Sequence, residues 1–254
     1  MKNFDWLLNT PIAHRGLHDN TCAENSMTAY KAAILKGFSI EIDVHPSSDG
    51  KVIIFHDYTL TRVCGVELPT TSVCSTDREK YKLNNTEDFI PLLAELLKLI
   101  DGKVGLLIEI KYKNNKYYRK LCPMVYALIK DYKGPVAIQS FSPTVVRWFK
   151  RNAPEITRGL LATSYGELKV SPFVRNIMRR GNRIFGGSVI RIINPDFLAF
   201  NILSLPSPTV ARIRAKGLPV ITWTVRQLDQ IPIAEDCATN IIFEKIDISS
   251  FKKK

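Results

Sequence analysis

Two carboxylates with the spacing of a β-strand lie close to all four histidines of the chain. Glu41 and Asp43 stand two residues apart within a β-branched run, and the histidines fall between residues 12 and 57. Side chains alternate along a strand, so both carboxylates face the same side of a sheet. Adjacent carboxylates repel each other unless a proton or a cation lies between them, and a hard divalent ion suits oxygen ligands. The pair therefore predicts a metal site in this stretch.

A third carboxylate, Glu109, lies within the apolar run Leu-Leu-Ile-Glu-Ile that ends at Lys111. A charge inside an apolar strand is costly unless it is paired or bound to a metal. A cation bound jointly by Glu109, Glu41 and Asp43 would explain why Glu109 lies in an apolar strand. Two other interpretations stay open, because Glu109 and Lys111 can form a structural ion pair, and a Glu-x-Asp pair can belong to a solvated strand face. Each histidine alone is more typical of a surface or core residue than of a catalyst.

The composition indicates an anionic partner. The chain has 254 residues, 45% of them hydrophobic, with a net charge of +12 and a pI near 9.5. Such a charge fits nucleic acid, a phosphorylated substrate or an anionic membrane surface. Three of the charges belong to the terminal residues 252–254, and a charge run at a terminus is typically a solvated end.

The cysteines and the hydropathy pattern predict a cytoplasmic protein. Five cysteines are scattered through the chain without any Cys-x-x-Cys pair, so they suggest neither a zinc site nor a disulfide framework. A reducing compartment fits this pattern best. No signal-peptide core and no uninterrupted apolar stretch of about 18 residues is present. We therefore expect a soluble and unprocessed protein.

The elements that must position these residues alternate between strand and helix. Eight runs predict strands, beginning at residues 12, 39, 104, 136, 157, 197, 220 and 240. Helical periodicity follows most of them, including 118–132, 143–152, 207–216 and 226–236. This order favours a parallel sheet, and no repeat or linker divides the chain. We predict an α/β fold, one closed (β/α)8 TIM barrel spanning residues 1–254 as a single domain. The alternative is an open doubly wound sheet.

Three local features refine this prediction. Only seven residues separate the runs 39–44 and 52–56, whereas a parallel crossover needs about a dozen. The second run is therefore predicted to be a small antiparallel hairpin excursion turned by Asp49-Gly50. Periodic apolar residues up to residue 100 predict a helix that begins within 84–88 and ends at Gly102. Residues 5–8 predict a helical turn that plugs the base of the domain.

In a (β/α)8 barrel, the active-site groups lie at the carboxyl ends of the strands. The predicted strands repeatedly carry polar residues or a tryptophan there: His14, Arg15, Glu41, Asp43, Glu109, Lys111, Gln139, Asn201 and Trp223.

The motifs of the chain, taken in order, resemble those of the glycerophosphodiester phosphodiesterase family of phospholipase C-like barrels. The resemblance covers nearly the whole chain. Any one motif is weak, but the ordered set is specific. The motifs are His14-Arg15-Gly16, Ala23-Glu24-Asn25-Ser26, Glu41-Ile42-Asp43-Val44, Ser47-Ser48-Asp49-Gly50, His56-Asp57, Pro91 to Leu97 with Glu95, Glu109-Ile110-Lys111, Ser140-Phe141 and Trp223-Thr224-Val225-Arg226.

The resemblance implies a role for each polar group at the site. It implies that Glu41, Asp43 and Glu109 hold a Ca²⁺ or Mg²⁺ ion as cofactor. It implies further that Arg15 and Lys111 bind the phosphate of a small glycerophosphodiester substrate.

By the same resemblance, His14 and His56 act as general acid and base, and which one is the base stays open. Trp223 packs on the glycerol skeleton or simply fills the barrel. His18 and His45 match no role and are expected to be structural or rim residues. Two departures from the family pattern affect the far end of the substrate: Arg226 replaces an asparagine, and Phe243-Glu244 replaces Thr-Asp.

Three functions follow, in order of preference. The first is metal-dependent hydrolysis of glycerophosphodiesters to glycerol 3-phosphate and an alcohol. The second is a lysophospholipase D-type reaction on lysolipids at an anionic membrane, which the basic segment 174–183 could contact peripherally, although a solvated outer helix is the more ordinary interpretation. The third, nucleic-acid binding without catalysis, rests on charge alone and leaves the carboxylates unexplained. The sequence does not indicate an oligomeric state.

Overall fold

The computed structural model describes residues 4–163 and 190–251. The strands in this part of the chain are β1 Ile12–His14, β2 Ser39–Pro46, β3 Val52–Ile54, β4 Leu106–Ile110, β5 Val136–Ser140, β6 Thr157–Ala162, β7 Phe197–Asn201, β8 Val220–Val225 and β9 Asn240–Phe243. The α-helices there are α1 Asp5–Asn9, α2 Met27–Leu35, α3 Thr61–Cys64, α4 Leu93–Ile100, α5 Asn115–Ile129, α6 Pro143–Asn152, α7 Ile190–Ile193, α8 Pro208–Arg214 and α9 Ile231–Cys237.

The sheet closes into a barrel because β1 pairs with two parallel neighbours. Ala13 lies opposite Ile40 of β2 on one side and opposite Phe243 of β9 on the other. Eight parallel strands follow one another around the barrel in the order β1, β2, β4, β5, β6, β7, β8 and β9. The predicted TIM barrel is therefore confirmed, and the open doubly wound sheet is wrong. Assignment of residues 1–254 to one domain stays a prediction.

The hairpin excursion after β2 is confirmed. β3 pairs antiparallel with β2, and Gly50 takes the left-handed conformation (φ +81°) that the turn requires. Residues beyond β3 build a separate apolar cluster that includes Phe55, Leu60 and Ile90. This small core lies beside the barrel and supports the segment that carries His56.

The helix predicted to begin within residues 84–88 begins later, at Leu93. Pro91 disfavours helical geometry in the residue before it. The backbone near it is instead extended, because the Ile54 amide donates to the Pro91 carbonyl at 2.9 Å. Glu95 then accepts a hydrogen bond from the Leu92 amide at 3.1 Å and caps the new helix. Pairing with β3 keeps the chain extended up to Leu92, so the helix contains only the later part of the predicted segment.

The predicted plug at the base of the barrel is also confirmed. Leu7 of α1 is fully buried among inward-facing strand residues such as Leu107 and Ile242. Gly105 makes room for the plug, because a Cβ at this position would lie 1.9 Å from Cε3 of Trp6. Asn240, at the start of β9, donates to the Leu7 carbonyl at 2.8 Å and to the Thr10 carbonyl at 2.7 Å. Its buried amide group joins the plug to the barrel.

We expect Asn240→Ala to lower the free energy of unfolding by about 2 kcal/mol, because the buried Leu7 carbonyl and the partly buried Thr10 carbonyl lose their donor. Urea denaturation monitored by circular dichroism measures the change. Asn152→Ala is the matched control, since the Asn152 amide donates to Trp148 on the exposed face of α6. The control should shift stability by less than about 0.5 kcal/mol. Equal losses in both variants would show that Asn240 does not anchor the plug.

Two basic features of the sequence, residues 174–183 and the terminal residues 252–254, lie outside the described residues. Within residues 4–163 and 190–251, the structure contains no helix with the length and apolar character needed to cross a membrane.

Candidate active site

Three buried carboxylates meet at the carboxyl end of the barrel. Glu41 and Asp43 point inward from β2, and Glu109 points inward from β4, where it lies directly opposite Asp43 in the strand register. One oxygen from each carboxylate lies within 4.8 Å of the others. The alternation of β2 and the parallel pairing of β2 with β4 produce this arrangement. The structure thus brings together all three residues that the sequence suggested as metal ligands.

Two cations lie against the same carboxylates. The Lys111 Nζ is 2.8 Å from Asp43 Oδ1 and 2.7 Å from Glu109 Oε1, while the Arg15 Nε is 3.4 Å from Asp43 Oδ2. Glu109 and Lys111 therefore do form an ion pair, but as part of a larger cluster rather than an isolated structural pair. Three carboxylates against two cations leave an excess of negative charge in a buried site. Such a site can accept a further cation.

Burial and like charges perturb the ionisation of this cluster. Burial, and then the negative charges of Asp43 and Glu109, raise the pKa of Glu41 well above its usual value. Burial opposes ionisation of Asp43 as well, yet Lys111, His56 and Arg15 hold its pKa below the ordinary range. Asp43 is thus stabilised as an anion, whereas Glu41 lacks sufficient positive charge beside it.

Polar neighbours fix the orientation of the carboxylates. Asn25 donates to Asp43 at 3.1 Å and accepts from the Tyr30 hydroxyl at 3.0 Å. The Arg15 amide donates to Glu41 Oε2 at 3.3 Å, and Gln139 donates to Glu41 Oε1 at 3.4 Å. Arg15 and Asn25 have positive φ angles of 59° and 54°, a strained conformation that the surrounding contacts must maintain.

His14 lies on the Glu41 side of the cluster. Its Nδ1 is 2.7 Å from Glu244 Oε2, and its Nε2 is 3.9 Å from Glu41 Oε2. Burial lowers the pKa of His14 to about 4, although the hydrogen bond to Glu244 opposes this effect. The ring is therefore neutral at physiological pH, with Nε2 directed towards the carboxylates.

His56 belongs to a chain of ion pairs that leads back to Arg15. Its Nδ1 is 2.5 Å from Asp57 Oδ1, and Asp57 is 2.7 Å from the Arg62 Nε. Arg62 contacts Glu24 at 2.7 Å, and Glu24 contacts Arg15 at 2.8 Å. Arg62 was missed by the sequence analysis because it lies in a polar, weakly patterned stretch. No motif or periodicity in that stretch indicates the contact, and only the folded excursion brings Arg62 to Glu24.

The other two histidines are buried beside the site. His45 bonds to the Tyr117 hydroxyl through Nδ1, and its Nε2 is 3.2 Å from the His56 carbonyl. The Nε2 of His18 is 3.7 Å from Glu244 Oε1. His45 therefore supports the backbone of the segment that carries His56, which agrees with the structural role expected for it.

A pocket of about 740 Å³ opens beside the cluster on the side of His56. Glu109 and Lys111 form part of its wall, and the half-exposed rings of Tyr58 and Phe141 stand at its edge. Trp223 meets Phe141 edge to face, with 5.4 Å between ring centroids. The Trp223 Nε1 is buried and has no hydrogen-bond partner within residues 4–163 and 190–251.

The fold and the site together define a class of protein, the (β/α)8 barrels that gather polar and charged residues at the carboxyl ends of their strands. Within that class, the chain belongs to the Glycerophosphoryl diester phosphodiesterase family, whose model matches residues 14–243. The resemblance deduced from the ordered motifs is therefore confirmed.

Two curated relatives match shorter parts of the chain than the family model does. A glycerophosphodiester phosphodiesterase from Caldanaerobacter subterraneus subsp. tengcongensis is 32% identical over 160 residues, which cover 59% of this chain and 65% of that protein. Lysophospholipase D GDPD1 of Rattus norvegicus is 30% identical over 139 residues, which cover 50% of this chain and 42% of that protein. The matched regions thus span less than two thirds of either relative.

The barrel also resembles solved structures. A phosphodiesterase from Oleispira antarctica, in complex with the product sn-glycerol-3-phosphate, superposes with a TM-score of 0.74 at 21% identity. The match covers 94% of this chain and 93% of that one. This likeness concerns the fold.

Proposed function

We propose that the protein hydrolyses glycerophosphodiesters to sn-glycerol 3-phosphate and an alcohol, with the help of a divalent metal ion. The observation that carries this proposal is the buried cluster of three carboxylates and two cations, with His14 on one side and His56 on the other. Family membership supports it, as do the name of the Caldanaerobacter relative and the product bound in the Oleispira antarctica structure.

The donor set fits Ca²⁺ or Mg²⁺. Glu41, Asp43 and Glu109 offer hard oxygen ligands within reach of one ion, and their surplus negative charge is uncompensated by Arg15 and Lys111. When bound, a divalent ion at this site would supply positive charge that stabilises the phosphate oxygens during the reaction. With the ion counted, the cluster changes from net negative to net positive. It can then attract a phosphodiester monoanion.

Arg15 and Lys111 would bind and orient the phosphate. Both side chains are nearly buried, and their contacts with Asp43 hold them in place before substrate arrives. Fixed positive charge in a buried site stabilises developing negative charge more strongly than mobile surface charge does. These two residues can therefore stabilise the transition state without large rearrangement.

His14 and His56 would transfer the protons. Each ring uses Nδ1 to contact a carboxylate, Glu244 for His14 and Asp57 for His56, which leaves Nε2 for the reacting oxygens. One Nε2 removes a proton from the attacking hydroxyl, and the other donates a proton to the departing alcohol. The attacking group is either the glycerol hydroxyl of the substrate or water.

The open pocket beside His56 provides space for the group attached to the phosphate. Trp223, which is only partly buried and packs against Phe141 of the pocket wall, would contact the glycerol skeleton. Tyr58 and Phe141 at the pocket edge present aromatic faces, which suit a choline or ethanolamine head group. A water-soluble diester is therefore the substrate class that we favour.

A second candidate function is lysophospholipase D-type hydrolysis of lysolipids. Tyr58 and Phe141 are 41% and 47% exposed, so an acyl chain or a membrane surface could cover them. The name of the Rattus norvegicus relative supports this candidate. We propose further that the protein is located in the cytoplasm. In the second candidate function, it would also contact an anionic membrane peripherally. Nucleic-acid binding is not proposed, because net charge alone supports it.

Comparison of matched substrates distinguishes the two candidates. We expect kcat/KM for glycerophosphocholine to exceed that for lysophosphatidylcholine. The two substrates share a head group and differ in the acyl chain, so the ratio of their kcat/KM values isolates the effect of that chain. Glycerophosphoethanolamine and its lysolipid provide a second pair. A lysolipid preference above about tenfold, worth roughly 1.4 kcal/mol of transition-state binding, would favour the second function. Phe141→Ala is the diagnostic variant, since it should then reduce turnover of the lysolipids more than turnover of the matching diesters.

A further inference from the structure

The two positions at which the chain departs from its family's motifs are in direct contact. Arg226 follows β8 and Glu244 follows β9, and the Glu244 amide donates to the Val225 carbonyl at 3.0 Å. The Arg226 guanidinium contacts one oxygen of Glu244 twice, from NH2 at 2.7 Å and from Nε at 3.1 Å. Neighbouring strands thus bring together two unusual residues that are 18 positions apart in the sequence.

The same oxygen of Glu244 contacts His14. β9 pairs with β1 such that Phe243 lies opposite Ala13, and the residues that follow, Glu244 and His14, are therefore side by side. The distance from Glu244 Oε2 to His14 Nδ1 is 2.7 Å. These contacts connect the half-exposed Arg226 through Glu244 to His14 in the buried site.

A carboxylate at Nδ1 selects one tautomer of the imidazole. An ionised carboxylate only accepts hydrogen bonds, so the ring proton must lie on Nδ1. The Nε2 lone pair is then free and directed towards the carboxylate cluster, where the substrate would bind. Orientation of a functional histidine through its second nitrogen is a common use of such contacts.

Arg226 explains how a glutamate can perform this task. Glutamate has one more rotatable bond than the aspartate that the family pattern carries at this position, so its carboxylate is less restricted. The two contacts from Arg226 fix that carboxylate. An asparagine at position 226 would supply no positive charge to it. The two departures are therefore complementary.

We propose that Glu244 is a positioning residue that holds His14 in the tautomer with the proton on Nδ1, and that Arg226 fixes Glu244 for this purpose. The catalytic part of this inference rests on the proposed function, because it assumes that His14 transfers a proton. The structural part does not depend on it. Neither Glu244 nor Arg226 needs to contact the substrate in this role.

The expected kinetic result is a loss of kcat with little change in KM. Glu244→Leu should lower kcat by about 10- to 100-fold, the range found when the hydrogen-bond partner of a metal-bound histidine is removed. Glu244→Gln should cause a smaller loss, because its amide oxygen can still accept from His14 Nδ1. Arg226→Gln should also cause a smaller loss, because Glu244 keeps its contact with His14 and loses only the charge that fixes it. Glu67→Gln and Arg212→Gln are matched charge controls on exposed parts of the chain and should retain full activity.

Nitrogen-15 NMR of histidine-labelled protein supplies a readout that is independent of turnover. Signals of His14 are assigned by their absence in His14→Asn. The proposal requires Nδ1–H in the wild-type protein and a shift towards Nε2–H in Glu244→Leu. If Glu244→Leu does not fold, Glu244→Gln is tested for reduced kcat at unchanged KM.

Two results would overturn the positioning role. The first is a wild-type His14 with its proton on Nε2. The second is a kcat in the tested Glu244 variant that stays within about twofold of the Glu67→Gln control. Absence of diester hydrolysis in the wild-type protein would instead refute the proposed function, and the NMR result would still decide the tautomer.

Discussion

Glu41→Gln should reduce kcat by about 1,000-fold or more, comparable to the loss of a principal electrostatic group in other active sites. The substitution preserves the shape of the side chain but removes a charged ligand from the cluster. In wild-type protein, a divalent ion at roughly 100 times its dissociation constant should add about 2.7 kcal/mol of stability. That gain corresponds to a rise in Tm of about 5 °C or more. The rise should disappear in Glu41→Gln.

In EDTA, the same variant should melt at the same temperature as the wild type or higher. Burial and the charges of Asp43 and Glu109 raise the pKa of Glu41, so ionisation of this residue costs folding free energy. The cost is absent below the ordinary pKa of a carboxyl group and grows as the pH rises above it. Glu67→Gln, on the surface, is the control. Wild-type turnover in Glu41→Gln would remove Glu41 from the site.

His14→Ala and His56→Ala should each lower kcat by about 10² to 10⁴-fold, the usual contribution of a positioned acid or base. Both rings direct Nε2 away from the carboxylate that binds Nδ1, and both lie beside the buried cluster. Steady-state kinetics with a saturating diester measures the effect. The double variant provides the test of joint action, because residues of one catalytic unit are not additive.

If the two histidines act in one reaction, the double variant should be about as slow as the slower single variant. Additive losses would indicate independent effects, for example on stability. Retention of full activity in either single variant would remove that histidine from the mechanism. Circular dichroism melting of each variant excludes unfolding as the cause of a loss.

The strands of the barrel were predictable because burial on both faces leaves a continuous apolar signal. Phe197–Asn201 and Val220–Val225 begin at the predicted residues for this reason. The start of α4 was not predictable from its periodicity alone, because upstream residues pair with β3 at Pro91. An extended pairing with a distant strand leaves no local pattern. Such contacts appear only once the excursion has folded.

In the site, too, local sequence patterns predicted some residues, whereas contacts between distant parts of the chain could not be predicted. The two-residue spacing of Glu41 and Asp43 encodes their common face, and the apolar surroundings of Glu109 reveal its burial. Glu244 was recognised only as a departure from a motif. Its contact with His14 joins residues 230 positions apart and depends on closure of the barrel between β1 and β9. No periodicity or spacing in the sequence encodes that contact.

Product analysis with and without metal tests the central claim most directly. The purified protein is incubated with glycerophosphoethanolamine and a divalent ion, and sn-glycerol 3-phosphate is measured with a coupled dehydrogenase. We predict release of sn-glycerol 3-phosphate and ethanolamine, loss of this activity in excess EDTA, and recovery when Mg²⁺ or Ca²⁺ is added. Full turnover in EDTA, or release of free glycerol and phosphoethanolamine instead, would contradict the account.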